Sequence, residues 1–365
     1  MSWRETTLGE ITDLKRGFDL PKSQRLQGDV PVYSSSGITG SNSTAAVEGP
    51  CVITGRYGTI GEVFFSGGPC WPLNTALYST EFNGNNPRFI YYLLQTIPWQ
   101  GYTTASAVPG VNRNHVNLCP VKIPDRATQD AIVEVLDSIV DKIALNNRLN
   151  DYLEQLVDGK FQELFGGLNF NATLSDVAEI TMGQSPAGSS YNEEGAGIIF
   201  YQGRGEFGWR FPKRRLYTTE PKRLACEGDV LMSVRAPVGD LNVAFENCCI
   251  GRGLAAIHSE TPSFALYLMR FLKPQLEAYN GEGTVFGSIN GKALKSLEVA
   301  LPSHNEVMQF ESFAAPIDAL IRSNENETRK LNNLRNYLLP KLMSGEIDVS
   351  KVDLTQLTNN HLADC

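Results

Sequence analysis

The chain lacks most of what marks an enzyme, a secreted domain or a membrane protein. No apolar run in its 365 residues approaches the roughly 18 to 20 that cross a bilayer. The opening stretch MSWRETTLGEITDLKRG has no apolar core of a signal peptide, so a cytoplasmic protein is expected. The seven cysteines (51, 70, 119, 226, 248, 249 and 365) form an odd set without a CxxC pair, so reduced thiols are expected rather than disulfides. The four histidines (115, 258, 304 and 361) are scattered, with no HExxH, so neither a metal nor a cofactor is expected. No GxGxxG opens a helix after a strand. GSINGKA (287–293) has the wrong glycine spacing for a phosphate loop, and Ala293 stands where Ser or Thr would ligate Mg²⁺. Nothing singles out a Ser or Cys as a nucleophile.

A core is not lacking. Hydrophobic residues make up 42% and charged residues 20%, enough for two or three ordinary domains. The net charge of −8 argues against a simple basic nucleic-acid binder until it is divided along the chain. Residues 1–125 carry 9 basic and 9 acidic groups, and residues 166–303 carry 13 and 14. The excess of acid lies in 126–165 (4 and 8) and 304–365 (6 and 9). The two nearly neutral segments are free to present a local basic face.

The chain reads as two unequal copies of one unit. TLGEITDLKRG (7–17) aligns with TLSDVAEITMG (173–183), and VYSSSG (32–37) with FYQGRG (200–205). EGPCVITGR (48–56) aligns with EGDVLMSVR (227–235) at an offset of 179, and Gly61 with Gly239 at 178. Asn112 to Pro124 aligns with Asn290 to Pro302 at the same 178, which then holds through the next forty residues. The offset jumps between Tyr201 and Glu227, so the second copy carries about eleven extra residues there. The β-rich runs CVITG, GEVFFS, DVLMSV and LNVAF predict strands, whereas RFIYYLLQTI and SFALYLMRFLKPQLEAY predict helices packing one apolar face.

After Pro124 and Pro302 the pattern changes. Apolar residues recur at Ile132, Leu136, Ile139, Ile143, Leu153, Leu156 and Leu164. In the second copy they recur at Phe310, Phe313, Ile317, Ile321, Leu331, Leu334, Leu338 and Leu342. Spacings of three and four mark a coiled-coil seam. Ser303 and Glu306 form a capping box at the start of the second helix; Pro316 and Pro340 are departures that can kink it. Forty residues of helix reach about 60 Å. The economical partner for each such helix is the other, packed antiparallel. Asn146 and Asn324 are repeat equivalents in a polar waist, where they either fix register from inside the seam or face water. The predicted class is α+β: two mixed domains (1–125 and 166–303), a central helix (126–165), a C-terminal helix (304–345) and a tail (346–365).

This arrangement resembles the specificity subunit of type I restriction–modification systems. The resemblance covers essentially the whole chain. It is carried by GRYGTIGEV (55–63) and its counterpart VRAPVGDLN (234–242), ITMGQSP (180–186), NRNHVNLCPVKIP (112–124), NGKALKSLEVALP (290–302) and LRNYLLPKLMSGEI (334–347). It implies that each globular part is a target-recognition domain reading one half of a split, asymmetric DNA site. It implies that the helices space the readers and dock two adenine-N6 methyltransferase subunits. A motor endonuclease subunit would join that core, and the chain itself would do no chemistry. A methyltransferase of the partner kind would show (D/N)PP(Y/F); the nearest string here, Asn86-Pro87-Arg88-Phe89, lacks the second proline. Two readers of unlike sequence should take unlike half-sites, since identical ones would read a palindrome.

The stretch 201–223 is the leading candidate for DNA contact. Tyr201, Gln202, Arg204, Arg210, Lys213, Arg214, Arg215, Lys222 and Arg223 stand there among Phe207, Trp209, Phe211 and Tyr217. Guanidinium groups bridge phosphates or bind a guanine edge, and aromatic rings wedge or stack. In the first domain the candidates are Ser34, Ser35 and Ser36, with Lys22, Arg25 and Arg56. Arg56 and Arg235 occupy matching positions beside a glycine turn; phosphate contact and structural pairing both fit them. The competing reading is a protein–protein scaffold with two binding domains on a coiled-coil spacer and no DNA contact. The basic, aromatic stretch favours DNA; the acidic balance favours the scaffold.

Overall fold

A computed structural model describes residues 3–103, 109–281 and 287–352. It divides into two compact units, one of residues 1–145 with 327–365 and one of residues 146–326. Each unit holds an α+β globular part together with one half of each of two long helices, Arg126–Phe165 and His304–Ser344. Among the described residues no helix is long and apolar enough to cross a membrane.

In the first unit an antiparallel sheet runs in the order Lys15–Arg16, Ala76–Ser79, Cys51–Gly55, Val63–Ser66. The CVITG strand is buried at every position, as an interior strand covered on both faces should be. A second sheet orders Gly37–Asn42, Val30–Ser34 and Trp71–Pro72, the last pair parallel. Trp3–Thr7 pairs antiparallel with Pro120–Pro124, just before the first long helix. Asn86 caps the helix Pro87–Leu94 by accepting from the Arg88 and Phe89 amides, and Pro87 fits the first turn because no partner awaits its missing N–H. The buried face of that helix, including Phe89 and Leu94, joins Leu136 and Ile139 of the first long helix and Leu338 and Leu342 of the second in one core.

The second unit repeats this frame. Its first sheet orders Glu179–Met182, Leu254–His258, Val230–Ser233 and Leu241–Val243; its second is built around Ile198–Tyr201 paired parallel with Cys248–Ile250. Gly61 and Gly239 both sit at positive φ, +91° and +89°, where a side chain would be strained; an added Cβ would also strike Trp99 in one copy and Leu276 in the other. The core centres on Phe161 and Phe165 of the first long helix, Phe310 of the second, and Phe264. Most of these rings meet edge-on, for example Phe161 on Phe310 at 5.3 Å between centroids.

The strand ladders correct the alignment by one residue. Val52 opposes Ser79 and Val230 opposes Ile257, an offset of 178 on both sides. Tyr57 bridges Gly110 as Arg235 bridges Ser288. The structural counterpart of Arg235 is therefore Tyr57, not Arg56. Matching the two arginines by identity slipped the register that the backbone hydrogen bonds set.

The long helices pack antiparallel within each unit. The capping box forms: the Ser303 amide donates to Glu306 Oε2 at 2.8 Å, and the Glu306 amide to Ser303 Oγ at 3.4 Å. The second helix runs unbroken through Pro316 and Pro340. The seam changes phase in the second unit: Val157, Phe161 and Phe165 are buried, whereas Leu156 and Leu164, expected inside, are exposed. Ala314 replaces Phe313 in the same way. The inward stripe there is 150, 153, 157, 161, 165, close to the true 3.6-residue turn of a helix lying on a globular face rather than on a second helix alone. Asn146, Asn150 and Asn324 are all buried, and the Asn324 amide donates to Asn150 Oδ1 at 2.8 Å.

Candidate nucleic-acid interface

The two domains differ most where one strand hands over to the next. In the first, Val30–Ser34 turns into Gly37–Asn42 through Ser35 and Ser36 alone. Ser34 Oγ sits 3.1 Å from Ser36 Oγ and donates to the Gly37 carbonyl at 3.2 Å, so the serines first of all close their own turn. In the second domain the equivalent strands, Ile198–Tyr201 and Leu216–Thr218, are joined by the excursion Gln202–Arg215. Most of the extra residues of the second copy lie there.

The excursion is pinned at its middle. Arg210 is buried, with 4% of its surface exposed. Its guanidinium reaches Glu154 on the first long helix and Asp318 on the second, both at 3.2 Å, and Tyr267 Oη at 3.1 Å. Arg270 bridges the same Glu154 at 2.9 Å and Asp158 at 2.6 Å. Burial pushes the Tyr267 phenol up, so it stays a neutral donor in this network. Arg210, expected at the DNA, is thus a buried anchor. Tyr201 is corrected with it: at 1% exposure its ring belongs to the core behind the strand.

The remaining cations fall into two groups. Arg204 pairs with Asp240 at 2.6 Å, Arg214 with Glu246 at 2.6 Å and Arg215 with Glu206 at 2.7 Å. The Arg204 and Arg214 pairs are open to solvent and contribute roughly 0–1 kcal/mol, so those two guanidiniums can exchange a carboxylate for a phosphate at little cost, whereas Glu206 is buried and holds Arg215 more firmly. Lys213, Lys222 and Arg223 are exposed, and among the described residues none pairs with a carboxylate. Gln202, Arg204 and Arg235 line one depression, together with Arg252, which sequence reasoning missed. The parallel pairing of Ile198–Tyr201 with Cys248–Ile250, continued by the Gly251 and Gly253 amides donating to the Tyr201 and Gln202 carbonyls, brings Arg252 there.

In the first domain Lys22 is exposed. Arg25 donates to the Thr39 carbonyl at 2.9 Å across the hairpin. Arg56 lies over the Tyr57 ring at 4.6 Å and lines a depression with Lys15, Arg16 and Arg113. A matching depression in the second domain is lined by Arg223, Lys292 and Lys295. The two lysines were also missed, because GSINGKA was weighed as a phosphate-loop motif and NGKALKSLEVALP as a mark of the family, neither as a cluster of cations.

Residues 1–155 and 171–336 match the type I restriction modification DNA specificity domain, once for each globular part. The chain belongs to that family. Its members are the specificity subunits of type I restriction–modification systems; they give the complex its DNA sequence specificity and are themselves non-catalytic. A protein of Methanocaldococcus jannaschii named for the specificity subunit of the type I restriction enzyme MjaX is 30% identical over 373 residues, covering 94% of this chain and 84% of its own. The MjaIX specificity subunit of the same organism is 21% identical, covering 72% of this chain and 70% of its own. The S subunit of a type I restriction–modification system from M. genitalium has the same fold, with a TM-score of 0.67 at 15% identity over 94% of this chain and 96% of that one. As a specificity subunit, the chain works with DNA and the other components of a restriction–modification complex.

Proposed function

We propose that each globular domain reads one half of a bipartite, asymmetric DNA site, and that the two long helices set the gap between the halves. One observation carries this reading: two domains share the register of their first sheet yet differ most at one exposed connection, the Ser35–Ser36 turn against the basic excursion Gln202–Arg215. A common scaffold with unlike tips suits two readers of unlike sequence.

The helices also dock the adenine-N6 methyltransferase subunits, and an endonuclease subunit joins that core. Leu149, Tyr152 and Leu156 support the docking: they recur at helical spacing on the outer face of the first long helix, 39%, 66% and 53% exposed. An acidic chain makes sense as a DNA reader if those subunits supply most phosphate contacts. The isolated chain is then expected to bind DNA weakly, and adding the methyltransferase to restore binding. Tight, salt-insensitive binding by the chain alone would refute this.

The test is to map N6-methyladenine in cells with and without the gene. The expected result is one split motif with unlike halves that disappears on deletion. A palindromic motif, or none that depends on the gene, overturns the reading. Removing one turn from each long helix should change the gap and leave both half-sites intact. Arg214→Ala with Arg215→Ala should weaken binding and flatten its salt dependence.

A further inference from the structure

The two basic depressions carry an inference that rests on the DNA-reading function and refines it. Both are built from the same parts of the repeated frame. One wall is the edge strand of the first sheet, Lys15–Arg16 in one domain and Glu179–Met182 in the other. The other wall is the short helix that follows an asparagine cap, Arg113–Val116 after Asn112 and Gly291–Lys295 after Asn290. The edge strand is locked in place by a glycine in each copy. A Cβ on Gly17 would come 2.3 Å from the Leu73 carbonyl oxygen, and one on Gly183 would come 2.2 Å from that of Gly251.

The place is shared, but the residues are not. At the ladder offset, Arg113 corresponds to Gly291 and Asn114 to Lys292; on the edge strand Lys15 corresponds to Thr181. Each domain nevertheless gathers exposed cations there: Arg16 and Arg113 in the first, Arg223, Lys292 and Lys295 in the second. Among the described residues none of the five pairs with a carboxylate, whereas Arg204, Arg214 and Arg215 all do. Two domains with different targets have in common only what two half-sites have in common, which is the sugar–phosphate backbone. A phosphate needs a cation within reach; a base edge needs a donor and acceptor set in fixed geometry. Positive charge kept while its positions drift is the pattern that a phosphate tolerates and a base does not. Lysine, a point charge on a flexible stem, suits the same role.

We propose that these two depressions grip the DNA backbone alike in both half-sites, leaving base recognition to the unlike connections. The test uses the chain assembled with its methyltransferase subunits and two variants, Arg16→Ala with Arg113→Ala, and Lys292→Ala with Lys295→Ala. On a random-sequence duplex each pair should make the slope of log K against log salt shallower by about two, at roughly 0.9 for each phosphate no longer neutralised. In cells the methylated motif should keep every letter while the methylated fraction falls. Lys292→Arg with Lys295→Arg should restore the slope, which separates missing charge from failed folding. An unchanged slope, or a motif altered at any letter of one half, overturns the assignment. If the wild-type complex yields no split motif, the half-site reading fails on its own, and a slope change of two would still mark the depressions as backbone contacts.

Discussion

Replacing Arg210 with methionine separates an anchor from a DNA contact. Methionine keeps an apolar stem beside the Trp209 and Tyr267 rings, each 5.6 Å from the guanidinium carbon, but removes three polar links at 3.1 to 3.2 Å. Breaking a fully buried ion pair costs about 3–5 kcal/mol. Here Glu154 and Asp318 remain 17% and 20% exposed, and Glu154 keeps Arg270, so the expected loss is about 2–4 kcal/mol. With a urea slope of about 2 kcal/mol/M, the midpoint of the second unit should fall by about 1–2 M. Trp209 is the one tryptophan between residues 146 and 326, so a fluorescence change there reports on that unit. Below the transition, the salt slope of DNA binding should match wild type. A variant with unchanged midpoint and a shallower salt slope would show that Arg210 reaches DNA, refuting the anchor.

Three further outcomes are expected. Asn324→Leu strands the buried Asn150 Oδ1 and should cost about 1–3 kcal/mol, while adding Asn150→Leu should recover most of it; a double-mutant cycle with no coupling would mean the pair is idle. His258 is held above its ordinary 6.5 by its hydrogen bond to Asp229, 2.6 Å away, and by that carboxylate's charge. Its contribution to stability is therefore full below pH 6.5 and lost as pH rises through the raised value. Imidazole NMR titration should show the raised value return toward 6.5 in Asp229→Asn; since the ring is about half exposed, the stability effect should be small. Of the six described cysteines only Cys226 is exposed, and burial pushes the Cys248 thiol up. In a Cys365→Ser background, native protein should therefore release one equivalent of thionitrobenzoate quickly, and a burst of two or more would contradict the burial of the others.

The frame was legible because it rests on local pattern. Apolar spacing marks the long helices, and the β-rich strings CVITG and DVLMSV fall on interior strands. The phase of the seam was not legible beyond Asn150, since Val157 and Leu156 are both apolar and only the surface met decides which turns inward. The fate of the basic stretch was equally hidden. Nothing local distinguishes Arg210 from Arg214; the first meets carboxylates of both long helices, and the second meets Glu246, 32 positions away, on the surface. Composition located the connection that matters, but long-range pairing decides which of its cations are free to leave.

Each long helix is divided between the two units, and this bears on synthesis of the chain. The first unit takes Leu331, Leu338 and Leu342 into its core, so the ribosome must pass residue 342 before that core can close. Until then the apolar side of Leu136 and Ile139 stands open, and the unit begun first is completed last. A nascent chain halted before residue 327 should be a substrate for chaperones and proteases, even though its first 125 residues were made long before.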